Sequence, residues 1–215
     1  MNNNPKSTYK MYEALLAEFL VTVYEIAGAY VHSNADIRKL PSDDRSIVVR
    51  SAANNVCCIG GSFIMQHCLL YGLNNFLSIM NTKYGTYTMD IHIRARKFMD
   101  SDITLIKMAI SLFAFSENRF CYSTDVSNDL TNSIEIFKIE SKYADITWKY
   151  LLYRYGFHDA IKRFLNLTLL LAAMNILAIH AQSLLIHVNY IEPVIEQTEL
   201  TLLLDDVDEI LETDQ

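Results

Sequence analysis

Glycine and proline are scarce, six and three among 215 residues. A β-sandwich or barrel needs turn residues every ten residues or so, so their rarity favours long helices. Charge is also thin, at 20% of residues against 51% hydrophobic. That balance excludes a disordered chain and supports one domain with a substantial core. The formal net charge is −7, and the densest basic run, Arg94-Ala95-Arg96-Lys97, reads as one solvated turn. Direct nucleic-acid contact, which needs a broad basic footprint to displace counterions, is not expected. Cys57, Cys58, Cys68 and Cys121 form no C-x-x-C pair, which excludes four-cysteine zinc modules and fits a reducing intracellular compartment. The opening MNNNPKSTYK has no apolar leader core. No phosphate loop, Ser-His-Asp set or zinc signature is present, so neither an enzyme nor a metal or other cofactor is expected.

What is present is helical periodicity. Met11, Leu15, Phe19, Val23, Ile26 and Tyr30 recur at steps of four and three, the mark of a long amphipathic helix. Pro41 stops a helix, and Ser42 and Asp43 are candidate N-caps for the next. From Asp43 to about Tyr71 the chain is apolar and uncharged after Arg50, as in a helix buried all round. Gly60 and Gly61 inside it imply a close neighbour. Thr82–Asp90, around Gly85, reads as a small β-turn. Asp100-Ser101-Asp102 caps a helix over 102–115, a polar loop follows over 116–128, and Asp129 opens the next helical region. Gly156 is placed to end a helix. Residues 165–191 carry no formal charge and are long enough to cross a bilayer. Because Asn166, Asn175, His180, Gln182, His187 and Asn189 lie within them, a shielded core helix in a soluble chain is the expectation.

The segment from Ile37 to Arg50, IRKLPSDDRSIVVR, resembles the signature of nuclear-receptor ligand-binding domains, F-x-x-L-x-x-x-D-Q-x-x-L-L-K. Ile37 stands for the aromatic, Arg45 for the glutamine and Arg50 for the lysine. In the same order, DITLIKMAISLFAF over 102–115 resembles the family's seventh helix. Arg163-Phe164 and the following leucines resemble its tenth and eleventh. Leu203-Leu204-Asp205-Asp206-Val207 resembles the activation helix, with Asp206 for the usual glutamate.

The resemblance implies an all-α, three-layer antiparallel helical sandwich with a small β-turn. It would span 9–207, between a disordered N-terminus over 1–8 and an acidic tail over 208–215. It implies a ligand-regulated transcription regulator of the nucleus and cytoplasm that touches neither DNA nor membrane itself. Its partners would be a lipophilic small molecule, L-x-x-L-L coregulator peptides and another receptor, as homo- or heterodimer. His32, Arg50, Asp206, Leu203 and Leu204 would form the coregulator groove and its charge clamp. The ligand pocket would draw on Phe19, Val23, Tyr24, Ala27 and Ser62, and on Met65, Gln66, Met108, His180 and Leu184. Arg163, Phe164, Leu167 and Leu171 would face a dimer partner. Leu200-Thr201-Leu202-Leu203-Leu204 itself satisfies L-x-x-L-L.

Two alternatives remain open at this point. One is a helical bundle for interaction or dimerisation with no ligand. The other is a Mg²⁺-dependent isoprenoid-handling enzyme using the Asp205–Glu209 acidic run, for which no second acidic cluster is evident. His180 and His187, seven apart on one helix face, could ligate a metal but lack a third partner.

Overall fold

A computed structural model describes residues 5–116 and 133–213, with side chains for 8–116 and 133–207. The expected loop over 116–128, apart from Ser116, the helix start at Asp129 and Cys121 lie outside these, as do residues 1–4 of the expected N-terminal segment and 214–215 of the acidic tail. Among the described residues there are seven α-helices and no strand.

The helix α1 (Pro5–Ser33) follows the apolar periodicity, burying Leu16, Phe19, Val23 and Ala27. Met11 and Ile26, at the edges of that pattern, stay exposed beside Glu13, Glu18 and Glu25. Asn34 then caps α2 (Ala35–Arg38), its Oδ1 accepting from the N–H groups of Asp36 and Ile37 at 3.0 and 3.1 Å. Pro41, rather than Ser42 or Asp43, occupies the N-cap position of α3 (Ser42–His67) and makes no side-chain cap. Asp43 and Asp44 sit in the first turn, where carboxylates suit the positive end of the helix dipole.

The α3 helix is the axis of the bundle, in contact with α1, α5 (Ile103–Ala114), α6 (Ser133–Ala181) and α7 (Leu185–Thr213). It separates two cores. One lies between α1, α4 (Asn74–Ala95) and α7, around Phe19, Phe76 and Ile195. The other lies between α5 and α6, around Ile106, Phe113 and Met174. Gly60 has open space beside it and Gly61 makes ordinary contact with Val23 and Phe19. The close approach is instead at Gly28, where a Cβ would stand 2.7 Å from Val194 Cγ1 of α7.

Two helices bend at glycine. Gly85 (φ 82°) interrupts α4 and Gly156 (φ 72°) interrupts α6, a backbone region that costs other L-residues steric strain. Residues on both sides of Gly85 remain helical, so the expected β-turn over 82–90 is not formed. Tyr84, Thr88 and Met89 are buried at helical spacing, and that packing overrides the strand preference of Tyr and Thr.

The expected fold class is therefore corrected. In place of a nuclear-receptor sandwich with a β-turn there is a helical bundle in which three helices are long and apolar enough to cross a membrane. These are Thr8–Ser33, Ser42–His67 and Ser133–Ala181, by length and composition. The same finding overturns the expected soluble nuclear and cytoplasmic location, the transcription-regulator function and the expected absence of membrane contact. The uncharged stretch 165–191 is also not one helix. It divides at a turn over 182–184 between α6 and α7. Nor is the C-terminal segment a separate lid, because Pro193 lies inside a continuous α7 that runs to Thr213.

Candidate functional site

The interior polar groups converge where α1, α3, α4 and α7 meet. His187 Nε2 lies 2.6 Å from Asn54 Oδ1, and its Nδ1 lies 2.7 Å from Tyr24 Oη. Asn54 donates from Nδ2 to the Ala178 carbonyl, so its oxygen is turned toward the histidine. A carbonyl oxygen only accepts, hence Nε2 carries the proton and Nδ1 receives the Tyr24 hydroxyl. The result is a directed chain, Tyr24 to His187 to Asn54 to the Ala178 carbonyl. Tyr190 stacks on Tyr24 with ring centroids 5.3 Å apart. Burial pushes the His187 imidazole down to about 4, opposed by the charge of Glu192. It is neutral at neutral pH.

A second buried pair stands nearby. Ser62 Oγ lies 2.7 Å from His92 Nδ1 and 3.0 Å from the Cys58 carbonyl oxygen. Burial pushes His92 down to about 4 as well. Between the two pairs is a cavity of about 50 Å³, lined by Phe19, Val23, Tyr24, Tyr84, Thr88, His92 and His187 among others. Ligand pockets for drug-sized molecules run to several hundred Å³. This space is far too small for the lipophilic ligand expected from sequence, because Phe19, Met80 and Tyr84 fill the region.

Of the expected pocket residues, Phe19, Val23 and Tyr24 reach the cavity lining. Ala27 and Met65 are fully buried, and Ser62 engages His92. Gln66 Oε1 is buried without a hydrogen-bond partner, while its neighbour His67 stacks on Phe63. Met108 and Leu184 are half-buried outside the cavity lining. His180 stands edge-on to Tyr87 at 4.9 Å, away from the buried His187. Among the described residues no three His, Cys, Asp or Glu side chains are grouped to hold a metal ion.

The expected groove-and-clamp residues are engaged within the chain. Arg50 donates to both carboxylate oxygens of Glu192 at 2.8 and 2.7 Å. Asp206 takes a two-pronged bond from Arg45, which holds its carboxyl below the usual carboxylate range. Asp205 lies 3.2 Å from His32 Nε2 and 3.7 Å from Arg38. Ser46 donates to Glu199. Together these form a polar ladder that seats α7 along α1, α2 and α3. Arg50 and Asp206 thus close no shared groove, while Leu200, Leu203 and Leu204 point outward and Leu202 is buried. Of the acidic run, Asp205 faces His32 and Arg38, and Asp206 faces Arg45.

The expected dimer residues also turn inward. Arg163 pairs with Asp100 and lies 3.8 Å over the Tyr155 ring. Phe164 packs edge-on against Trp148, and Leu167 is buried; Leu171 is half-buried against the second core. Around the Gly156 bend, Tyr150 and Tyr155 both donate to Asp102 at 2.6 Å. Although its partial burial raises it, these donors hold the Asp102 carboxyl below its ordinary range. Asp102 also caps α5 through the Thr104 N–H.

What remains facing outward on the second arm of α6 is an apolar stripe of Leu165, Leu169, Ile176 and Ile179, all exposed. It begins beyond Tyr153 and Phe157, 91% and 70% exposed at the bend, and beyond the last charges, Lys162 and Arg163. No family model, curated protein or solved structure matches the chain.

Three of these features were not anticipated from sequence: the Asn54–His187 pair, the Ser62–His92 pair and the outward stripe. Asn54 and Asn55 inside a charge-free helical stretch were the available signal for the first. A buried polar side chain requires a partner, though sequence does not say which.

Proposed function

We propose that this chain is a membrane-associated helical bundle, a non-enzymatic scaffold that meets the bilayer through the second arm of α6. The observation that carries the reading is the outward stripe Leu165–Ile179 on a helix long and apolar enough to enter a membrane. The uncharged run from Phe164 to Ala181 extends roughly 27 Å at 1.5 Å per residue, close to the roughly 30 Å of a bilayer core. Lys162 and Arg163 at the start of such a run, with the exposed rings of Tyr153 and Phe157 preceding them at the bend, match the side chains that settle at a membrane–water boundary.

The burial of the three long helices assigns them different neighbours. In α3, 78% of the most apolar window is buried, against 33% in α6. The former is wrapped by other helices and the latter is open to its surroundings. The outer face of α1 carries Glu13, Glu18 and Glu25, which are costly in hydrocarbon, so this face is directed to water or headgroups. Interior polar groups paired with one another suit a bundle in lipid, where no solvent satisfies them.

Fractionation of cells expressing the full chain tests this. The protein is expected in the membrane pellet after an alkaline carbonate wash and in the supernatant once detergent is added. Recovery in the carbonate supernatant contradicts the proposal. Replacing Leu165, Leu169 and Ile176 together with arginine is expected to move the chain out of the pellet.

A further inference from the structure

We infer that the linker between α4 and α5, residues 96–102, is a latch that sets the angle of a hinge at Gly156, holding one arm of α6 through Asp102 and the other through Asp100. The inference does not rest on the membrane reading.

Gly156 is the weak point of α6. Its φ of 72° breaks the helix, and a Cβ there would meet nothing within 4 Å. No packing at the glycine itself sets the angle between the arm before it and the arm after it. Glycine has wide backbone freedom, and hinges form where a few residues can absorb large dihedral changes. The angle is therefore fixed from outside the glycine.

The four carboxylate oxygens of Asp100 and Asp102 divide that task. One from each shapes the linker itself. Asp100 Oδ1 accepts from the Asp102 N–H and Asp102 Oδ1 from the Thr104 N–H, both at 2.9 Å. The other two hold α6. Asp102 Oδ2 accepts from the hydroxyls of Tyr150 and Tyr155, before the bend, both at 2.6 Å. Asp100 Oδ2 accepts from Arg163, after the bend. The Arg163 guanidinium also lies 3.8 Å over the Tyr155 ring, which closes a loop of contacts around the glycine. Hydrogen bonds to an ionised group are shorter and stronger than neutral ones. The linker is anchored in turn, since Leu105 and Ile106 of α5 are buried in the second core. Because the second arm carries the outward apolar stripe, the latch sets the direction in which that stripe is presented.

Asparagine at both positions separates the two uses of the carboxylates. An amide has one accepting oxygen in place of two. Asp100→Asn with Asp102→Asn therefore keeps the turn of the linker and the helix cap and releases α6. Tyr150→Phe with Tyr155→Phe releases the first arm from the other side with every ring in place. Nitroxide labels at Ser141→Cys and Ala172→Cys, both exposed, report the distance across the bend by double electron–electron resonance. The full chain is used, with Cys68 and Cys121 replaced by serine. A pair at Ser141→Cys and Tyr153→Cys lies within the first arm and serves as the control.

With the latch intact, one narrow distance across the bend is expected. Both sets of substitutions are expected to lose that narrow peak while the control pair stays narrow. A narrow peak surviving in either set overturns the inference, and leaves the bend to packing such as Trp148 against Phe164. A broad distribution with the latch intact overturns it as well, and so does broadening of the control pair alongside the other.

Discussion

Removing the His187 ring leaves Tyr24 Oη and Asn54 Oδ1 buried with their shared partner gone. At about 1–3 kcal/mol for each unsatisfied group, His187→Leu is expected to lower stability by about 3 kcal/mol in thermal or chaotrope unfolding. Because the loss comes from the orphaned partners, adding Tyr24→Phe and Asn54→Leu should recover part of it. A triple variant less stable than the sum of its single changes would contradict this account of the chain. Acid acts on the same groups. His187 and His92 are held at about 4 in the folded bundle, against 6.5 unfolded. The unfolded chain therefore binds protons first as pH falls, and stability present above pH 6.5 is lost on the way to 4. Each histidine contributes a slope of up to about 1.4 kcal/mol per pH unit. The expected outcome is a melting temperature that falls between pH 6.5 and 4, with a shallower fall in His187→Leu. These pairings were not legible in the sequence, because Tyr24 and His187 are 163 positions apart and Asn54 and His187 133. Periodicity reports which face is buried, not which distant side chain it meets.

At the scale of the helices, two glycines set geometry in different ways. A Cβ at Gly156 would meet nothing within 4 Å, yet the residue's φ is 72°. Gly156→Ala therefore tests backbone strain alone and is expected to cost about 1–2 kcal/mol. Gly28 is the opposite case, with ordinary helical backbone and a 2.7 Å approach to Val194. Gly28→Ala should push α7 outward and destabilise the bundle, and Val194→Ala should restore much of the loss. Additive destabilisation in the double variant would show that the contact does not govern the α1–α7 approach. The sequence carried part of this geometry. Gly85 and Gly156 are readable as breaks, and α1 and α3 as long helices. The stretch around Gly85 reads as a β-turn because Tyr84, Tyr87 and Thr88 have strand preferences. Burial of Tyr84 and Met89 in the first core overrides them. Pro193 suggests a boundary, but one missing N–H is tolerated within α7. There the ladder of Arg50–Glu192, Ser46–Glu199 and Arg45–Asp206 holds the helix on both sides of Val194.

For the whole molecule, the four motif-like segments resembling a receptor domain share one weakness. Each consists of apolar residues at helical spacing with a few charges, which many helical bundles satisfy. Arg50 and Asp206, read as two ends of one groove, pair with Glu192 and Arg45 instead. The charge-free stretch over 165–191 was legible as long enough for a bilayer. Its division at 182–184 and the outward face left on α6 depend on tertiary packing, which no local pattern records. The membrane reading rests on that face, so its surroundings are the point to measure. With Cys68 and Cys121 replaced by serine, a nitroxide label can be placed at Leu169→Cys on α6 or at Glu18→Cys on α1. Collision rates with oxygen, which concentrates in lipid, and with a water-soluble nickel chelate then report each site in liposomes. The account predicts a label at position 169 that is open to oxygen and shielded from nickel, with the reverse at position 18. A label at 169 as open to nickel as the one at 18 would contradict it.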